Sequence, residues 1–163
     1  MTAASRFFEM TMKLPAARTH AVQVERDLRV PMPDGVTLLA DRYVAKSAAA
    51  GRPPLVLVRC PYGRRGIWGL LAGRLLAERG FQSVVQSCRG TFGSGGELDP
   101  LGVTEAADGL ATVAWLREQS WYPGYFGTWG PATWASPSGH WQRSRCLTTG
   151  QWRCRSAAPA RGT

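Results

Sequence analysis

Ser136, Ser138 and His140 lie close together near the end of this 163-residue chain, and a hydroxyl and an imidazole are the groups from which a nucleophile and its general base are made. No elbow glycine pattern surrounds them and no strand leads into them, so their proximity does not make a site. Glu105 and Asp108 offer a second possibility, two carboxylates three residues apart. On a solvated helix face such a pair serves ion pairing and the helix dipole better than acid–base work. The stretch Arg89-Gly90-Thr91-Phe92-Gly93-Ser94-Gly95-Gly96 invites comparison with a phosphate-binding loop. It lacks the G-x-G-x-x-G order and no Lys-Ser/Thr pair closes it, so it reads as a bend in the backbone. Cys60, Cys88, Cys146 and Cys154 show no C-x-x-C spacing and no histidine at ligand distance in sequence. No metal site and no cofactor are expected, and Cys60 and Cys88, at strands or their ends, read as reduced, buried thiols.

The elements that would position such groups become regular at Val22. Val22 to Val30 alternates loosely, Pro31-Met32-Pro33-Asp34-Gly35 is a turn with Asp-Gly at its tip, and Val36 to Val44 is extended again, a pattern that predicts a β-hairpin. Leu55-Val56-Leu57-Val58 is a short continuous apolar run, as in a strand buried on both faces. Leu71, Leu75 and Leu76 recur at helical spacing between Gly69 and Arg79, and Gly80 supplies a stop. Phe81 to Ser87 predicts a second buried strand. Thr104 to Gln119 predicts a helix whose apolar face is Ala107, Leu110, Ala111 and Ala114, with Glu105 near its start and Arg117 near its end. Phe126 to Trp129 predicts a third core strand. A hairpin followed by strand, helix, strand, helix, strand opens an α/β fold with a mostly parallel sheet and flanking helices.

Charge is unevenly placed. Residues 1–130 carry fifteen Lys and Arg against eleven Asp and Glu, whereas residues 131–163 carry five Arg and no acid. The basicity is concentrated in a tail in which Leu147 is the only Ile, Leu, Val or Met after Ala132. Trp134, Trp141 and Trp152 with those arginines raise the alternative of a non-catalytic basic binding protein. No helix-turn-helix pattern or stacking platform accompanies them, and no nucleic-acid partner is expected. Charges at Arg6, Glu9, Lys13 and Arg18 interrupt any apolar leader, so the expectation is a cytoplasmic chain without a membrane span. The sequence divides into an N-terminal extension (1–21), a partial α/β domain (22–131) and an aberrant basic tail (132–163), disordered or irregular. It leaves the oligomeric state open.

Five blocks in order, VPMPDGVTLLADRY, VRCPYGR, GFQSVVQSCRGTFGSGGE, EAADGLATVAWLREQSW and GTWG, resemble the CocE/NonD hydrolases. These are α/β-hydrolases that include cocaine esterases and X-prolyl dipeptidyl peptidases. The resemblance implies the N-terminal half of that fold and acyl transfer by a serine, a histidine and an acid. The substrate would be a small-molecule ester or an X-prolyl peptide. It also implies that Tyr62, in Arg59-Cys60-Pro61-Tyr62, donates to the oxyanion. By its residues alone Tyr62 would read as a half-buried loop tyrosine packed on Pro61.

The nucleophile position itself departs from the family. Where the pattern is Gly-x-Ser-Tyr-x-Gly, this chain has Gly130-Pro131-Ala132-Thr133-Trp134-Ala135, and alanine has no hydroxyl to attack with. Codons for Ala132 onward, read one base earlier, permit Ser-Tyr-Leu-Gly-Phe-x-Gln-Trp-x-Leu-Ala, with the glycine, the second leucine and the final alanine forced by the code. One missing nucleotide near the Ala132 codon would explain both the lost serine and the tail. Triad acid and histidine would then lie beyond the divergence, leaving the chain inactive. The strand at Phe126 would become an open edge, for which low solubility is expected.

Overall fold

A computed structural model describes residues 3–98 and 103–129 of the chain. Five strands form one sheet in the order β1-β2-β4-β3-β5. These are β1 (Val22–Pro31), β2 (Thr37–Ala45), β3 (Leu55–Cys60), β4 (Gln82–Ser87) and β5 (Phe126–Thr128). The hairpin β1–β2 joins β4 antiparallel, and β4, β3 and β5 run parallel. The parallel character thus belongs to the part of the sheet built by crossovers.

The Asp-Gly turn forms as the sequence indicates. Gly35 has φ +82°, the Asp34 carboxylate accepts the Val36 N–H at 3.2 Å, and Met32 N–H closes the turn on the Val36 carbonyl at 2.8 Å. A bulge between Glu25 and Leu28 interrupts the hairpin register, with Asp27 left-handed at φ +57°. Such a bulge re-aims a side chain, and here the side chain is a carboxylate used below.

Strands β3 and β4 separate two apolar layers because successive side chains face opposite sides. Leu55, Leu57 and Val84 pack with Val30, Met32, Leu38, Val113 and Leu116. Val58 and Val85 pack on the other side with Tyr43, Ala72 and Ala77. Every residue of β4 is buried, as expected of a strand covered on both faces.

The first crossover is helical from Gly66, earlier than the Gly69 start expected from leucine spacing. It comprises α2 (Gly66–Trp68), a π-helical stretch (Gly69–Arg74) and α3 (Leu75–Glu78). Gly69 and Gly73 let it lie on Tyr43, since a Cβ at Gly69 would meet the Tyr43 hydroxyl at 2.5 Å and one at Gly73 would meet the ring at 2.6 Å. The Tyr43 ring cannot yield freely, because its hydroxyl donates to the Arg64 carbonyl at 3.1 Å. Gly73→Ala should therefore cost about 1–3 kcal/mol by overpacking, read as a lowered urea midpoint. Gly80 ends the segment at φ +91°, and Phe81 N–H reaches back to the Leu76 carbonyl at 3.2 Å.

The helix α1 (Ala3–Thr11) was not expected from the sequence. It docks through Ser5 on the buried Glu78 and through Glu9 on Arg79, whose Nε also donates to the Pro15 carbonyl at 2.8 Å.

In the second crossover helix, α4 (Glu105–Glu118), Ala111 packs against the core as expected, but the rest of the expected apolar face is corrected. Asp108, Gly109, Thr112, Val113 and Leu116 point inward, whereas Ala107 and Ala114 are exposed and Leu110 keeps 64% of its surface. The inversion has a polar cause. Asp108 enters the interior as a bidentate partner of Arg89, at 3.0 and 2.6 Å, and Thr112 hydrogen-bonds Gln86 of β4. Inward polar groups are tolerable only when satisfied in this way.

Candidate active-site frame

Open α/β sheets place their chemistry beyond the C-terminal ends of the parallel strands, and at that edge the chain places Tyr62. It follows β3 by two residues, is 52% exposed and stacks on Trp68 with ring centroids 6.0 Å apart and planes 18° from parallel. Among the described residues its hydroxyl has no hydrogen-bond partner, so the phenol is an unspent donor.

β5 delivers the chain to the same edge. Leu57 lies beside Thr128 in the parallel register, and Trp129 N–H donates to the Leu57 carbonyl at 3.1 Å. Ala132, the position matched to the family serine, lies outside the described residues. So do Ser136, Ser138, His140, Cys146, Cys154 and the tryptophans Trp134, Trp141 and Trp152.

A ring of ion pairs built around the buried Arg64 and Asp41 holds the loop after Tyr62. Arg64 donates from Nε to Asp41 at 3.0 Å, from Nη1 to the Ser87 hydroxyl at 3.2 Å and the Phe92 carbonyl at 2.6 Å, and from Nη2 to Asp27. Arg65 grips the other oxygens of the same two carboxylates, Asp41 at 2.9 Å and Asp27 at 2.7 Å. Asp27 reaches this position because the bulge turns it, and its own N–H rests on Asp41 at 2.9 Å. Hydrogen bonds from Arg64 and then Arg65 hold the Asp27 carboxyl below its ordinary 3.8. Its stabilising effect is thus present at neutral pH and fades as pH falls through that lowered value.

Beneath the edge, Arg59 donates to Gln86 at 2.8 Å and to both the carbonyl and the carboxylate of Glu105, at 2.8 and 2.7 Å. Glu105 and Asp108 therefore are ion-pair anchors, as expected, but Asp108 is 1% exposed rather than solvated.

The glycine-rich loop spends its N–H groups on itself and on the hairpin. Gly90 N–H binds the Gly95 carbonyl at 3.0 Å, Ser94 N–H the Thr91 carbonyl at 2.9 Å and Gly95 N–H the Thr37 carbonyl at 2.9 Å. A Cβ at Gly90 would stand 2.2 Å from the Leu98 nitrogen, so glycine is required for the fold-back. The loop is a structural bend, with those donors turned away from any anion.

Cys60 and Cys88 are buried free thiols, in agreement with the sequence reading. Burial, and secondarily the Glu105 charge, pushes Cys88 up to about 12. Burial raises Cys60 as well, against the Tyr62 N–H. Both should resist iodoacetamide at pH 8 in the native chain and react after unfolding, as read by peptide mass mapping. Labelling of either one before unfolding would contradict this burial.

A mixed five-stranded sheet with flanking helices, its parallel strands side by side, is an α/β-hydrolase frame. The X-Pro dipeptidyl-peptidase (S15 family) matches residues 34–144, and the chain belongs to that family. The match extends past Pro131 and so includes the Ala132 position. Cocaine esterase from Rhodococcus sp. (strain MB1 Bresler) is 37% identical over 111 residues, 66% of this chain and 19% of that protein. A CocE/NonD family hydrolase from Staphylococcus aureus superposes with TM-score 0.55 at 26% identity, over 64% of this chain and 22% of its own. An alpha-amino acid ester hydrolase shares the fold with TM-score 0.55 at 24% identity, over 71% and 22% of the two chains. The chain thus spans about a fifth of the length of these relatives and is a CocE/NonD-like hydrolase segment. Among the described residues no helix is long and apolar enough to cross a membrane.

Proposed function

We propose that this chain carries the oxyanion-donor half of a serine ester or X-prolyl peptide hydrolase site and that it does not itself turn over substrate. The observation that carries the reading is the Tyr62 phenol, exposed and without a hydrogen-bond partner among the described residues, at the edge where β3 and β5 both end. A donor fixed there suits an acyl-transfer transition state, whose new negative charge develops on the carbonyl oxygen. The attacking group is absent because Ala132 stands where the family has serine. Loss of one nucleotide near that codon is the origin we infer, supported by the Ser-Tyr-Leu-Gly string that the neighbouring frame permits.

The test has two parts. The chain as it stands should hydrolyse a p-nitrophenyl ester at the buffer rate, and turnover blocked by a serine-directed phosphonate would overturn the reading of the site. DNA across Gly130 should offer a serine codon one base out of frame. A coding sequence without one would sink the frame-loss account.

A further inference from the structure

We infer that Arg64 is the positioning residue for Tyr62, a role resting on the reading of Tyr62 as the oxyanion donor. An exposed phenol on a loop would sample many directions, and an oxyanion donor is useful only when held in place before the charge appears. Among the described residues the Tyr62 side chain has one ring neighbour, Trp68, so its direction is set by the backbone on either side. On the N-terminal side that backbone is fixed by β3. On the C-terminal side it is fixed by Arg64.

Three observations converge on that residue. The guanidinium is almost wholly buried, and it ties four separate pieces of chain together: the β1 bulge through Asp27, β2 through Asp41, the end of β4 through Ser87 and the glycine-rich loop through the Phe92 carbonyl. Its own carbonyl is taken by the Tyr43 hydroxyl, so main chain and side chain are both anchored two residues from Tyr62. Between them, Gly63 sits at φ +95° with the Phe92 ring against it; a Cβ there would stand 2.9 Å from that ring. The Arg64 bond to the Phe92 carbonyl therefore places the ring that closes over the residue next to Tyr62.

Arg65 shares the carboxylates but not this role. It is half-exposed, and among the described residues its side-chain hydrogen bonds run only to Asp41 and Asp27. A forked donor is what the Arg64 position needs, because one guanidinium meets acceptors in several directions at once, whereas an ammonium is a point charge.

The experiment uses this chain labelled with 3-fluorotyrosine. Its four tyrosines give four ¹⁹F resonances, with Tyr62 assigned by Tyr62→Phe and the unstacked limit set by Trp68→Ala. Arg64→Gln should move the Tyr62 resonance at least half-way to that limit while Tyr122 and Tyr125 stay in place. Arg89→Gln, which breaks the other large buried arginine cluster, should lower stability without moving Tyr62. If Arg64→Gln melts all four resonances together, Arg64→Lys becomes decisive; it should shift Tyr62 while Tyr122 and Tyr125 keep their native positions. A Tyr62 resonance left at its wild-type position by a folded Arg64 variant overturns the proposal. The reading of Tyr62 fails separately, through a Tyr62→Phe variant of a frame-restored chain that keeps its full rate while Arg64→Gln still moves the ring.

Discussion

Asp41→Ala is expected to remove about 3–5 kcal/mol and leave little soluble protein, because it strips a shared carboxylate from two arginines and leaves the buried Arg64 charge poorly compensated. Asp41 is fully buried. One of its oxygens accepts from Arg64 and from the Asp27 N–H, and the other accepts from Arg65. Such a loss is comparable with the whole stability of a small domain. Asp41→Asn keeps the shape and one acceptor oxygen, and it should cost less than the alanine variant. Soluble yield and urea unfolding followed by tryptophan fluorescence give the ranking, and an Asp41→Ala chain as stable as wild type would refute the role assigned to the cluster. Acid offers an independent approach to the same ring. Asp27 titrates below the ordinary carboxylate range because Arg64 and Arg65 donate to it, so its share of the stability should hold at neutral pH and decline below about pH 4.

The parts of this fold that rest on apolar continuity were legible in the sequence. Leu55-Val56-Leu57-Val58 and the Val84-Val85 strand are buried on both faces as their composition implied, and Gly35 and Gly80 adopt the left-handed conformations their turns require. What was not legible depends on polar groups that are satisfied only in three dimensions. Periodicity counts apolar side chains, so on α4 it selected Ala107, Leu110, Ala111 and Ala114, of which Ala111 does pack against the core. The true inward face includes Asp108 and Thr112, whose partners Arg89 and Gln86 are remote in sequence. The same limit hid Arg64 and Arg65, which read as ordinary loop charges until a bulge at Asp27 and a buried Asp41 are placed against them. Helix α1 was missed for a related reason, since its docking runs through Ser5 and Glu9 onto Glu78 and Arg79 rather than through an apolar stripe. One signal could have exposed the close seat of the first crossover helix on Tyr43. Gly69 and Gly73 stand four apart, the spacing that lets one helix face approach a ring closely.

In a chain whose frame is restored by one nucleotide at the Ala132 codon, Tyr62→Phe is expected to lower kcat on a p-nitrophenyl ester by about 10²–10³-fold, the usual cost of one oxyanion donor. KM should change little. The substitution is unusually clean, because phenylalanine keeps the ring stacked on Trp68 and removes only a hydroxyl that has no partner among the described residues. No buried hydrogen bond is broken and no cavity opens, so stability should stay within about 0.5 kcal/mol of the parent. A loss confined to kcat with stability unchanged is what a donor acting only in the transition state would produce. Arg64→Gln in the same restored chain should also lower kcat, by on the order of tenfold, but with the Tyr62 ring displaced. The two substitutions should be less than additive, since a mispositioned phenol has less left to lose. A Tyr62→Phe rate within threefold of the parent would assign the oxyanion to other donors and return Tyr62 to a stacking role beside Trp68.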